Sequence, residues 1–207
     1  LFVFVAFMLG CNEYMIVGVL PDIAKEYHSS LSSLGYLVTM FALIYAIFTP
    51  VITSVANRWK RHHVLLTLMV VFFIGNTWTA MATNYVSLLL SRMLTATVAG
   101  AIISIVLVLA SYVAPREKRA SLVSWVFAGF SIASVIGVPL GTVISQRLTW
   151  HDSFWMITVL TIVVFALLVW LVPHNTPQVV GHLSDQFSLF KDRRVLVGSL
   201  FVITVCA

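Results

Sequence analysis

Residues 86–113 read VSLLLSRMLTATVAGAIISIVLVLASYV, and this stretch decides the fold class. It exceeds the roughly 20 apolar residues that carry a helix across a bilayer core. Its one charged side chain is Arg92. A lone apolar segment in lipid must satisfy its own backbone groups, so it takes the helical state. Comparable runs lie at about 1–20, 34–56, 64–82, 122–144 and 153–172, and a further run opens at Val195 and reaches Ala207. The composition agrees: 60% of residues are hydrophobic and 9% charged, where a water-soluble domain carries about 25% charged residues. The expected architecture is an all-α membrane protein. A six-span bundle covers 1–172, a polar linker covers 173–194, and 195–207 start a seventh helix. Because the chain starts inside one span and stops inside another, it reads as a portion of a longer protein.

Basic residues set the orientation. Arg58, Lys60 and Arg61 follow span 2, Arg116, Lys118 and Arg119 follow span 4, and Lys191, Arg193 and Arg194 follow span 6. The opposite loops hold only Lys25 and Arg147. Lys and Arg collect in cytoplasmic loops, so the start of span 1 and the linker are expected in the cytoplasm. Trp78, Tyr85, Trp150 and Trp155 then fall at the outer interface, and Trp59 and Trp170 at the inner one. The net charge of +5 is thereby a topology signal, and no nucleic-acid partner is expected. The linker begins with Pro173 and Pro177, which end the sixth helix. Its Phe187, Leu189 and Phe190 beside Lys191 and Arg193 fit either a helix lying on the membrane surface or a plain connection.

Two ionisable side chains stand at depth, Glu13 in span 1 and Arg92 in span 4. An ionised group inside lipid costs from roughly 3 to more than 10 kcal/mol, so the pair points to a polar pathway through a bundle. Glu13 lies about two turns before Pro21, read here as the outer end of span 1, and follows Asn12. A carboxyl in a low-dielectric setting can load and release a proton, which is what a proton-coupled carrier requires. The bland alternative is a Glu neutralised by a hydrogen bond or by Arg92. Ala96, Gly100 and Ser104 share the face of Arg92 and turn it toward a helix contact or cavity; the alternative is an outer-end Arg reaching the headgroups.

Span 5 carries Gly129, Ala133, Gly137 and Gly141 at four-residue spacing, with Pro139 among them. Such a smooth stripe permits close helix approach. It serves either ordinary packing or a surface that rocks against a second bundle. Phe41, Tyr45 and Phe48 form a stripe in span 2 that fits packing or a ligand wall. Asn76 lines a cavity or bonds a neighbouring helix. Cys11 and Cys206 read as small buried side chains rather than a disulfide, and His62 and His63 as loop residues rather than metal ligands. The sequence holds no nucleophile–base pair, phosphate-binding glycine loop or metal-ligand spacing, so no enzyme is expected.

Four segments resemble the amino-terminal half of a major facilitator superfamily transporter, nearest the twelve-span drug/proton antiporters of the sugar and purine exporter branch. NEYMIVGVLPDIA (12–24) is similar to that branch's opening, with Glu13 at the embedded acid. TSVANRWKRHHVLL (53–66) stands at the loop 2–3 signature, LLLSRMLTATVAG (88–100) at the span 4 signature with Arg92 at its arginine, and GFSIASVIGVPLG (129–141) at the antiporter signature of span 5. Trp150 and Phe154 also fit the branch. The loop departs from the pattern at Thr53, Asn57 and Lys60, where the family has Gly, Asp and Gly. Asn57 offers a hydrogen bond but not the charge that latches one conformation in the family.

The resemblance implies two inverted three-helix repeats, half of a twelve-helix fold whose halves rock around a central site. It implies a secondary transporter of the bacterial-type inner membrane, exporting sugars, nucleobases or drugs in exchange for protons. The proton gradient then stands in place of a cofactor. Partners are the small-molecule substrate, the lipid bilayer and a carboxy-terminal half. Glu13 and Arg92 take the coupling role, Asn12, Tyr45 and Asn76 line the cavity, and Asn57, Arg58, Arg61, Gly137, Pro139 and Gly141 serve gating. A uniporter of the same fold is the alternative; a channel or a non-transporting membrane protein fits less well.

Overall fold

The computed structural model describes residues 1–56 and 59–171. Six helices account for nearly all of them: α1 (Phe2–Glu26), α2 (Leu31–Ala56), α3 (Arg61–Ala80), α4 (Tyr85–Val113), α5 (Arg119–Arg147) and α6 (Trp150–Leu171). One 3-10 turn, Arg116–Lys118, leads into α5. The described residues contain no strand, and all six helices are long and apolar enough to cross a membrane. The proposed linker and seventh span lie outside the described residues.

Local chemistry starts two of these helices. Asn84 caps α4 by accepting from the Ser87 backbone N–H at 2.8 Å, which satisfies one of the donors a helix start leaves free. Thr149 and Asp152 begin α6: the Asp152 carboxylate accepts from the Thr149 N–H at 2.9 Å and from its hydroxyl. An acidic residue in the first turn also favours the helix dipole.

Helix α1 does not stop at Pro21. It continues to Glu26, although proline removes a backbone donor. Tertiary bonds hold the added turn. The Ser145 hydroxyl of α5 donates to Asp22, and the Trp150 indole N–H of α6 donates to Glu26. Trp150 is therefore 2% exposed and is not a residue of an interfacial aromatic belt. Trp155, Trp170 and Trp59 do face outward.

The packing pairs α1 chiefly with α5, α2 with α4, α3 with α4 and α6, and α6 with α1. The first helix of each three-helix repeat thus packs on the second helix of the other repeat. That exchange is what two repeats related by a two-fold relation produce, so the fold is the inverted-repeat half expected from the sequence. Helices α1 and α4 lie between a layer formed by α2 and α5 and a layer formed by α3 and α6. The α2 and α5 layer leaves much apolar surface uncovered, including Leu43, Ile47, Val135 and Ile136.

Small residues allow the α1–α5 approach. A Cβ at Gly10 would sit 2.6 Å from the Ala133 Cβ, one at Gly129 2.6 Å from the Val3 carbonyl oxygen, and one at Gly141 2.6 Å from Met15 Cγ. A Cβ at Gly18 would collide with the Val138 carbonyl. The stripe Gly129, Ala133, Gly137 and Gly141 is buried against α1 of this bundle. The alternative reading, a face that slides past a second bundle, gives way to contact within this one. Lipid offers no hydrophobic drive between helices, so close backbone approach supplies the attraction.

Candidate proton and substrate site

Three helices bring a side chain each against Arg92 of a fourth. The Arg92 guanidinium, on α4, is 1% exposed. It donates from Nη1 to Asn12 Oδ1 of α1 at 3.0 Å. Its central carbon lies 4.4 Å from the centroid of the Phe41 ring of α2 and 5.6 Å from that of Phe154 of α6. Aromatic faces attract a cation most strongly where water is excluded. Arg92 Nε and Nη2 and Asn12 Nδ2 are buried and have no hydrogen-bond partner among the described residues. On this face Gly100 packs against α2, where a Cβ would overlap the Thr49 side chain. Arg92 is accordingly an interior residue, not one reaching for headgroups.

Glu13 is half-buried. It makes neither a hydrogen bond nor an ion pair among the described residues. It stands within Coulombic reach of Arg92 of α4 and Tyr45 of α2. Its neighbour Tyr14 meets Phe130 of α5 edge-on at 5.8 Å. The carboxyl therefore stands on the side of α1 that faces Arg92 of α4 and Tyr45 of α2. Arg92 donates to the amide of the residue before Glu13, and it forms no ion pair with Glu13 among the described residues. A carboxyl in that position can gain or lose a proton without breaking a bond, while the nearby cation feels the change through a poorly screening interior.

Tyr45 is half-buried, with its ring centroid 6.3 Å from that of Phe41, whereas Phe48 is exposed. The aromatic stripe is thus divided: its first member caps Arg92, its second borders Glu13, and its third faces outward. Asn76 is fully buried and donates to the Phe72 carbonyl of its own helix at 2.9 Å, leaving its Oδ1 unpartnered. The nearby tie between α3 and α4 is made by Thr79, whose hydroxyl meets that of Ser91 at 2.9 Å.

Arg61 is half-buried at the first residue of α3; Asn57 and Arg58 lie outside the described residues. Gly137 and Gly141 belong to the α5 stripe against α1, whereas Pro139 is exposed on another face of the helix. Cys11 is a buried free thiol in the core; Cys206 lies outside the described residues. The described residues hold no group of His, Cys, Asp or Glu side chains suited to a metal.

Sequence reasoning missed Phe154 as a member of the Arg92 surroundings. Only the Trp150–Phe154 spacing signalled it. It also missed the outer bonds of Asp22 and Glu26, because their partners lie more than 120 positions away.

The fold agrees with the comparisons to known proteins. Residues 2–207 match the model of the Major Facilitator Superfamily. The chain belongs to the major facilitator superfamily. It is 36% identical over 199 residues to the uncharacterized MFS-type transporter YfhI of Bacillus subtilis, covering 96% of this chain and 50% of that protein. It is 34% identical over 149 residues to the inner membrane transport protein YdhP of Escherichia coli, covering 72% of this chain and 38% of that protein. The putative transporter AraJ of Escherichia coli is 29% identical, with 89% of this chain and 47% of that protein covered. The chain thus spans about half the length of these relatives or less. Among solved structures, the human organic anion transporter MFSD10 (TETRAN) aligns with a TM-score of 0.59 at 14% identity, covering 83% of this chain and 46% of that one; that likeness is one of fold. Membership of this superfamily makes the chain an integral membrane protein of a transport family, not of an enzyme family.

Proposed function

We propose that this chain forms the amino-terminal bundle of a proton-coupled exporter of small organic molecules working by alternating access. One observation carries the reading: Glu13 is an embedded carboxyl with no hydrogen bond among the described residues, near a buried cation that is held by another residue. A purely structural acid at that depth would be expected to have a partner. A transported proton needs an acid that is free to accept it.

In this mechanism Glu13 takes the proton from one side and releases it to the other as the two bundles exchange exposure. Arg92 is the buried cation that senses the charge on Glu13 through the low-dielectric interior. Asn12, Phe41 and Phe154 keep Arg92 in place, and Tyr45 borders the substrate path. Asn57, Arg58 and Arg61 contribute to a cytoplasmic gate, and the Gly137–Pro139–Gly141 segment lets α5 and α1 move as one tight unit. The uncovered α2 and α5 layer receives the carboxy-terminal half. The loop charges favour an orientation with the start of α1 in the cytoplasm, and the family resemblance favours a bacterial-type inner membrane.

The complete protein in energised everted vesicles provides the test. Candidate sugars, nucleobases and lipophilic drugs are supplied with and without a proton gradient, while internal pH is recorded. Substrate movement that collapses with the gradient and is matched by proton counterflow is the expected result. Saturable movement with no proton flux would make the protein a uniporter, in which Glu13 only contacts substrate.

A further inference from the structure

The layer formed by α3 and α6 carries an apolar groove apart from the Arg92 and Glu13 site. Met69, Val70 and Phe73 of α3 and Thr161, Ile162 and Phe165 of α6 line a hollow of about 310 Å³. Ile162 is shared with an adjoining hollow of about 470 Å³ that runs along α6 through Ala166 and Leu167 to Trp170. The two form one track leading toward the membrane face at which α3 begins and α6 ends. Trp170 is 82% exposed at that end, where an indole suits the headgroup level.

The other side of the same end is basic. Lys60 and His63 are exposed and Arg61 is half-buried. His63, Thr67, Val70 and Ile74 are all exposed. Their spacing of three and four residues places them on one face of α3, so the His63 ring stands over the row that borders the groove. At 1.5 Å per residue, the basic end lies about 10 Å above Val70, a distance from headgroup level into the acyl region. No aspartate or glutamate occurs anywhere between Glu26 and Glu117, so this stretch of chain carries no acid of its own to neutralise the cluster.

We propose that the α3–α6 groove binds one anionic phospholipid, its phosphate on Lys60, Arg61 and His63 and an acyl chain along Val70, Phe73, Ile162 and Phe165. Charge complementarity selects this occupant: basic pockets at helix ends recognise anionic headgroups. An uncharged apolar partner would leave the basic end unused. The site is independent of the proton-coupling reading, because it lies on the layer away from Glu13.

The test uses the complete protein, purified and delipidated in detergent. Dioleoylphosphatidylglycerol and dioleoylphosphatidylcholine are titrated separately and bound lipid is counted by native mass spectrometry. The expected result is about a tenfold preference for the anionic lipid. That preference should shrink to near parity in the Lys60→Gln/His63→Gln variant, while Ile162→Trp weakens both lipids by filling the groove. Inorganic phosphate at millimolar concentration should not displace the lipid, since the acyl chain anchors it. Equal binding of the two lipids by the unaltered protein, or full retention by Ile162→Trp, would overturn the proposal. A photo-crosslinking residue at the exposed Val70 position, activated in native membranes, gives a second readout. A phospholipid adduct supports the site. An adduct with this chain's own 173–194 segment or with another protein overturns it.

Discussion

The outer and inner carboxylates of α1 stand in opposite circumstances. Glu26, at the last residue of the helix, accepts from the Trp150 indole of α6, and Asp22 one turn earlier accepts from Ser145 of α5. Glu13, at mid-helix, accepts from nothing among the described residues. The outer pair fastens three helices to one another, and the inner acid fastens nothing. The difference separates architecture from chemistry on a single helix. Bonded acids set where the helix ends, and the unbonded acid is left free to react.

The largest effect expected is on Glu13. Glu13→Gln keeps the shape and removes the proton, so proton-driven export should fall to background while thermal stability in detergent stays within about 1 °C. Full export by that variant would end the proton role. A marked loss of stability would mean that Glu13 fastens the fold after all, which would erase the contrast with Glu26.

Gly18 sharpens the architectural side. Its missing Cβ makes room for the Val138 carbonyl of α5, and Gly18→Leu should cost about 3 kcal/mol by overpacking. Loss of folded protein on size exclusion, or a strongly lowered Tm, checks it. Unchanged stability would show that the α1–α5 seam opens readily.

Trp150→Phe keeps the ring and removes the indole donor to Glu26. We expect about 2 kcal/mol of lost stability, in line with a hydrogen bond to a charged group, and export retained in vesicles. If export fell while stability held, the outer bonds would belong to the transport cycle.

The smallest effect concerns Tyr27, just beyond the end of α1. Burial, with a smaller contribution from the Glu26 carboxylate, pushes its phenol up to about 12. Its hydroxyl donates to the Ala82 carbonyl at 2.9 Å. The unfolded chain can ionise near pH 10 whereas the folded one resists until about pH 12. The stability this neutral phenol supplies is therefore complete below pH 10 and lost as the pH climbs toward 12. Tyr27→Phe should flatten that alkaline decline in a Tm-versus-pH series; an unchanged slope would place its origin elsewhere.

Much of the fold was legible because the bilayer imposes rules that act along the chain. The run 86–113 announced α4 almost to the residue, since span length and hydropathy are local properties. The end of α1 was not legible: Pro21 is a local stop signal, and it was overridden by bonds from Ser145 and Trp150. The α5 stripe was visible as a smooth face, but nothing in its four-residue spacing says which helix meets it. The candidate site was half legible. Glu13 and Arg92 stand out as ionisable residues among apolar ones, while the Asn12 bond and the Phe41 and Phe154 rings arise from α1, α2 and α6 meeting around α4.

By itself, the sequence determined that this protein crosses a membrane as helices and that it carries one acid and one cation at depth, because the cost of burying charge and backbone in lipid depends only on what each segment contains. The tertiary structure alone decided that the cation is held by Asn12 beside two aromatic rings and that the acid is left without a bond among the described residues. Choosing partners across 80 positions of chain requires knowing which helix faces meet, and that is settled by how closely small residues let the backbones approach.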